Sequence, residues 1–345
     1  MLKRNAMTVV PLDKNESYWL LDEKLMNYAR AFERDALAIY PSYDELRTAI
    51  AAYAGVRPDM VLATPGSDAA IEHIARLYGG AGSAVLPIPT FYGYETILDR
   101  AGVKVQPVPY DWDDDGFVFP LRGTIETLAG ASVIFLCQPN NPLGCAITDE
   151  DIAAVVDAVR GTDTMLVIDE AYFEFSGRTA LPLLDTAPNL VILRTFSKGF
   201  GIAGARVGYV IAEPALIAAL NSRLLMSPIA HTSMVAALTL LAHADEVHAR
   251  RALVITERER FSKALAAIPS VTVYPSETNF LLVRVPDARA ARDALLAEGV
   301  RVALGEPMTR FPDAKRLLAD TLRIAVPSPE DRPSVETVFT DLFQK

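Results

Sequence analysis

The feature that most limits the fold is a repeated alternation of short apolar runs with helical patterns. Residues 84–88, 103–108, 132–137, 165–168 and 190–193 are apolar runs of strand length. Segments 92–101, 149–160 and 179–186 between them carry helical spacing. Strands separated by crossover helices cannot pair through tight hairpins, so an α/β layer with a mainly parallel sheet follows. Upstream, residues 43–54 predict a helix with Leu46, Ile50 and Tyr53 on one face. Ile71, Ile74 and Leu77 mark another, and residues 207–211 add a strand.

A helical tract over 214–261 then leaves the sheet. The tail shows a separate β/α pattern, with strands at 271–273, 280–285 and 322–326 and a helix over 287–298. The 345 residues therefore divide into an N-terminal arm (1–35), a large domain (36–245) and a smaller α/β domain (246–345). With 51% hydrophobic residues, two cores can be filled.

In open α/β sheets ligands bind outside the carboxyl ends of the strands, where this chain carries its unusual residues. The run Arg194-Thr195-Phe196-Ser197-Lys198-Gly199 follows the strand 190–193, and Arg206 comes eight residues after Lys198. An amine beside small hydroxyls, glycines and a guanidinium suits a lysine that forms a Schiff base next to a bound phosphate. The cofactor of that description is pyridoxal phosphate. Gly66-Ser67-Asp68-Ala69 opens a helix whose free N–H groups can hold a phosphate, though the same residues also make a plain N-cap. Phe91 offers a ring to stack on a planar cofactor. Two prolines and a glycine stiffen the loop that carries Asn141. Asp169 ends an apolar run; an unpaired carboxylate is costly there, and a pyridinium nitrogen, a helix cap or a magnesium ion would each relieve it.

These motifs together resemble the fold-type I pyridoxal-phosphate-dependent aminotransferases of class I/II, and most closely the histidinol-phosphate aminotransferase-like branch. Five are in register: Gly66-Ser67-Asp68, Pro89-Thr90-Phe91, Asn140-Asn141-Pro142-Leu143-Gly144, Asp169-Glu170-Ala171-Tyr172 and Ser197-Lys198 with Arg206. The resemblance implies a large domain with a seven-stranded sheet, and an enzyme moving an amino group from an α-amino acid or related amine to a 2-oxo acid. Lys198 would hold the cofactor as an imine and, once displaced by an incoming amine, shuttle the α-proton. Asp169 would keep the pyridine nitrogen protonated, while Asn141 and Tyr172 would bond the phenolic oxygen. Phe91 would stack on the ring. Gly66, Ser67, Asp68, Ala69, Thr195, Ser197 and Arg206 would surround the phosphate. Tyr40 would reach the cofactor of a neighbouring subunit, which makes a homodimer the expected unit. Arg323 would clamp a substrate carboxylate, with Asn15, Tyr18 and Tyr94 at the substrate side.

The sequence departs from the pattern in three places, one of them the last strand, where Leu322-Arg323-Ile324-Ala325-Val326 runs into Pro327-Ser328-Pro329. The arm reads Asn15-Glu16-Ser17-Tyr18-Trp19 without the usual proline. Ala303 stands where members that bind histidinol phosphate carry an arginine for its phosphate, leaving Arg301 and Arg310 as possible substitutes. Histidinol-phosphate transamination proper, or decarboxylase, oxidase or cyclase chemistry on the same scaffold, stays open as an alternative. Outside this family, a ligand sensor with a degenerate site conflicts with the intact lysine constellation. Gly199, Gly201 and Gly204 match a dinucleotide-binding fingerprint only weakly, because they start one residue after the lysine, deep in the chain, and not after the first strand.

Charge and composition exclude several classes. Lys plus Arg total 33 against 43 acids, a net charge of −10, which argues against nucleic-acid binding. No apolar stretch is long enough for a bilayer, and the four histidines lack metal-ligand spacing, so no metal and no membrane are expected. Cys137 and Cys145 are too few for a disulfide framework and suggest a cytoplasmic protein.

Overall fold

The computed structural model describes residues 9–29, 35–113, 116–222 and 228–344. Parts of the expected arm (1–8 and 30–34) and of the 214–261 tract (223–227) lie outside the described residues. Seven strands form the large sheet: β1 (Val61–Thr64), β2 (Ser83–Ile88), β3 (Lys104–Pro109), β4 (Ala131–Cys137), β5 (Met165–Asp169), β6 (Leu190–Thr195) and β7 (Gly208–Ala212). Their order is β1-β7-β6-β5-β4-β2-β3. β2 to β6 pair in parallel, and β7 runs antiparallel to both its neighbours. β5 and β6 are buried along their whole length, because helices cover both faces of the sheet. Their continuous apolar runs are the sequence counterpart of that two-sided cover.

Helices Asp44–Ala54, Ser67–Tyr78, Tyr92–Arg100 and Asp149–Val159 form where their periodicity places them. The Thr148 hydroxyl accepts from the Asp151 N–H at 3.0 Å and so caps the last of these. Two expectations need correcting. Segment 179–186 is not an α-helix but a 3-10 stretch, Leu181–Thr186. Pro182 has no N–H to give, and the Ala180 N–H is already donated to Glu170. The tract 214–261 is three helices, Pro214–Asn221, His231–Ala242 and Ala244–Ala266. Pro228 cannot continue a helix, and His243 leaves helical geometry at φ −115°, ψ 33°.

The helix Ala244–Ala266 leads to an antiparallel sheet of Thr272–Val273, Phe280–Arg284, Thr321–Ala325 and Ala303–Leu304, in that order. One core lies on each face of the large sheet and a third under the small one. The arm is stitched to this third core. Val10–Pro11 pairs in parallel with Val300–Arg301, and Leu12 is fully buried. Trp19 donates its indole N–H to the Val326 carbonyl at 3.2 Å. No helix among the described residues is long and apolar enough to cross a membrane.

Candidate active site

A cavity of about 570 Å3 opens where the carboxyl ends of the parallel strands meet the arm and the small sheet. Asp169, the last residue of β5, is buried at its floor. One carboxylate oxygen accepts from the Tyr94 hydroxyl at 2.7 Å and the other from the Ala171 N–H at 3.1 Å. Burial raises this carboxyl to about 6 despite both bonds, so a cation facing it would find a ready partner. The adjacent Glu170 points the other way and pairs with Arg194 at 2.8 Å, both fully buried. Arg194 also lies 3.5 Å from the centre of the Phe173 ring. That pair neutralises Glu170, while Asp169, unpaired with any cation among the described residues, lines the cavity.

Lys198 enters from the turn after β6. Its ammonium donates to the Asn15 carbonyl at 3.0 Å and the Lys14 carbonyl at 3.1 Å. Burial first, then the Arg323 cation, lower its pKa to about 8. Asn15 is held in the left-handed region, φ 53°, which asparagine tolerates. That conformation turns its carbonyl to Lys198 while its amide donates to the Tyr172 hydroxyl at 3.0 Å. Burial raises the Tyr172 phenol. Arg323, in the middle of Thr321–Ala325, donates to the Asn141 side-chain oxygen at 2.6 Å and to the Asp13 carbonyl at 2.8 Å. Its Nε is buried without a partner.

The residues at the start of Ser67–Tyr78 fit a phosphate. Gly66 sits at φ 80°, and a Cβ there would come within 2.6 Å of the Arg206 guanidinium. A Cβ on Gly208 would come equally close to the Ser67 N. The backbone is thus pared to a cradle at the helix N-terminus, where N–H groups and dipole favour an anion. Arg206, itself at φ 54°, donates to Asp68 at 2.8 Å and reaches the Ser197 hydroxyl at 3.4 Å. The Thr195 hydroxyl donates to Ser197 at 3.0 Å. An aromatic wall (Phe91), a buried carboxylate (Asp169), an amine (Lys198) and an anion cradle in one cavity match the donor set that pyridoxal phosphate requires.

Not every expected residue lines this cavity. Tyr94 is fully buried beneath it, tied to Asp169 and packed on Phe135, because the helix turn after Phe91 points it into the core. Tyr18 turns to the small domain and donates to Asp331. Tyr40 is 86% exposed, away from the cavity of its own chain. Arg301 is exposed on a strand paired with the arm, and Arg310 is bonded to Asp99 at 2.8 Å; neither lines the cavity. The Cys137 thiol does border it, but burial raises its pKa well above the usual range, which keeps it protonated. Sequence reasoning missed Pro307 and Met308, which line the cavity, and the buried Glu170–Arg194 pair behind Asp169. A charged residue ending an apolar strand, as Arg194 nearly does, is the signal that would have found the pair.

The chain matches the family Aminotransferase class I and II over residues 8–334. It is similar to a histidinol-phosphate aminotransferase of Thermoanaerobacter pseudethanolicus, 36% identical over 301 residues that cover 84% of this chain and 83% of that protein. It is also similar to one from Roseiflexus castenholzii, 33% identical, with 97% of this chain and 90% of that protein covered. The crystal structure of histidinol-phosphate aminotransferase from Sinorhizobium meliloti in complex with pyridoxal 5'-phosphate superposes with a TM-score of 0.80 at 25% identity, covering 96% of this chain and 91% of that one. The chain belongs to the class I and II aminotransferases, enzymes of α/β fold that transfer an amino group with pyridoxal phosphate as cofactor.

Proposed function

We propose that Lys198 carries the cofactor and moves the proton, and that the amino donor is an α-amino acid held by Arg323. Pyridoxal phosphate supplies a carbonyl carbon that takes up an amine and a ring that delocalises the electrons left when a C–H bond breaks. Every other task falls to the protein. The Asp169 carboxylate holds a proton on the pyridine nitrogen; a cation there offsets the cost of its burial. The Lys198 amine, brought to about 8, would take the α-proton from the substrate and deliver it to the cofactor's former carbonyl carbon. Asn141 and Tyr172 would bond the phenolic oxygen, Phe91 would face the ring, and the N–H groups from Ser67 to Ala69 would hold the phosphate with Thr195, Ser197 and Arg206. Tyr40, exposed on its own chain, reaches the phosphate of a second copy, so the working unit is a homodimer. The free cysteines support a cytoplasmic location, and the division at about residue 245 separates a large domain from a smaller one.

One observation carries the choice of donor. Ala303 lies directly opposite Arg323 in the antiparallel pair, so both side chains stand on one face. An arginine at 303 would give that face two guanidinium groups, as a phosphate dianion needs; alanine leaves one, which matches a carboxylate. The second reading, histidinol phosphate as donor, draws on the activity named for the relatives at 33–36% identity. Specificity constants for histidinol phosphate and a panel of α-amino acids decide between them, with mass spectrometry of the products separating transamination from decarboxylation. A clear preference for histidinol phosphate overturns the α-amino acid assignment.

A further inference from the structure

Beyond the carboxylate clamp, the wall that meets the rest of the substrate is held by a buried carboxylate, Glu95. It lies on the helix Tyr92–Arg100 and is only 3% exposed. One oxygen accepts from the Thr309 hydroxyl at 2.7 Å, the other from the Arg310 N–H at 2.8 Å. A carboxylate this buried is costly unless its oxygens are bonded, so the two contacts hold each other in place. They span more than 200 residues of sequence and join the large domain to the segment after Glu306–Met308. Pro307 and Met308 of that segment line the cavity, and Phe91 and Tyr92, immediately before Glu95's helical turn, line it as well. Glu95 therefore fixes the spacing between two apolar walls.

The same contacts remove a cation. Arg310, bonded to Asp99 at 2.8 Å with Glu95 at 3.9 Å, is turned away from the cavity. Of the charged residues that line the cavity, those given no part in holding the cofactor are, besides Arg323, Lys14 and Glu16, of opposite sign and two residues apart. We propose that Glu95 is a specificity-positioning residue that pins Met308 over the substrate end of the cleft, so that the amino donor carries an apolar side chain beyond its α-carboxylate. This rests on the α-amino acid reading of Arg323.

The test is calorimetric titration of the holoenzyme with two non-reacting carboxylates, 3-phenylpropionate and 3-phosphonopropionate, which share the carboxylate and differ at the far end. 3-Phenylpropionate is expected to bind at least about tenfold more tightly. Thr309→Val, which keeps the volume but removes the hydroxyl, and Glu95→Gln should each weaken 3-phenylpropionate several-fold. Propionate and the absorbance of the bound cofactor should be unaffected. Met308→Lys, at a half-buried position lining the cavity, should reverse the preference. Tighter binding of 3-phosphonopropionate to the unaltered enzyme, or unchanged 3-phenylpropionate binding in both Thr309→Val and Met308→Lys, overturns the proposal while leaving the α-amino acid reading standing. If neither carboxylate binds and no amino acid alters the cofactor absorbance, both fall together.

Discussion

The cofactor end of the cleft draws on loops that each follow a strand of one sheet, whereas the substrate end is assembled from pieces far apart in sequence. At the first end, Asp169 and Lys198 stand on or just beyond strands buried along their whole length. At the second, Arg323 on the small sheet is oriented by Asp13 of the arm and Asn141 of the large domain. Met308 precedes Thr309 and Arg310, which Glu95 holds through their hydroxyl and backbone N–H. The first end is pre-set by the sheet, while the second exists only when three parts of the chain are docked. Substitutions at the cofactor end should therefore lower kcat, and those at the substrate end should raise KM.

The sharpest way to break that division is Lys198→Ala. Loss of the proton-transferring amine alone costs about 10²–10⁴-fold in kcat, and loss of the covalent anchor adds to it. Single-turnover rates measure the drop, and folding should be retained. Asp169→Asn comes next, with roughly a 10²-fold loss in kcat, because an amide does not stabilise a positive ring nitrogen. Cofactor affinity should change far less. Near-normal turnover in that variant contradicts the role given to Asp169.

Arg323→Ala should raise KM for amino acids about 30-fold, equivalent to about 2 kcal/mol, the lower end for a desolvated charged contact, since the cleft is open at one side. The absorbance of the bound cofactor should stay as it was. The smallest effect links the two ends. Burial, Arg323 and Arg206 together bring the Lys198 amine down to about 8, while Glu16 and Asp68 oppose the shift. Only the neutral amine attacks a carbonyl, so uptake of pyridoxal phosphate by the cofactor-free protein should rise with pH and level off above about 8. Removing the cation of Arg323 favours the protonated lysine, so the midpoint in Arg323→Ala should move to higher pH. Stopped-flow absorbance at a series of pH values reads both midpoints.

The cofactor end was largely legible in the sequence because each of its parts is local. A strand period, a turn with glycine or proline and one polar residue fall within a few positions at Gly66-Ser67-Asp68, Asn140-Asn141 and Ser197-Lys198. The substrate end was not, because its geometry depends on pairings without local signature. The two-residue strand Val10–Pro11 beside Val300–Arg301 is too short to show a period, yet it brings Asn15 to Tyr172 and Lys198. Tyr94 was misplaced because an aromatic near a ligand loop reads alike whether it faces the cavity or supports Asp169 from below. Glu95 was overlooked although it shares the buried face of its helix with Tyr94 and Leu98. A lone carboxylate among apolar neighbours signals a partner, but not that the partner is Thr309.

Borohydride reduction of the purified holoenzyme followed by peptide mapping tests the central assignment most directly. Reduction fixes the cofactor to the amine that holds it. A single modified peptide is expected, carrying the pyridoxyl group on Lys198 in the segment Thr195-Phe196-Ser197-Lys198-Gly199. Label on another lysine, or none after reconstitution with pyridoxal phosphate, contradicts it.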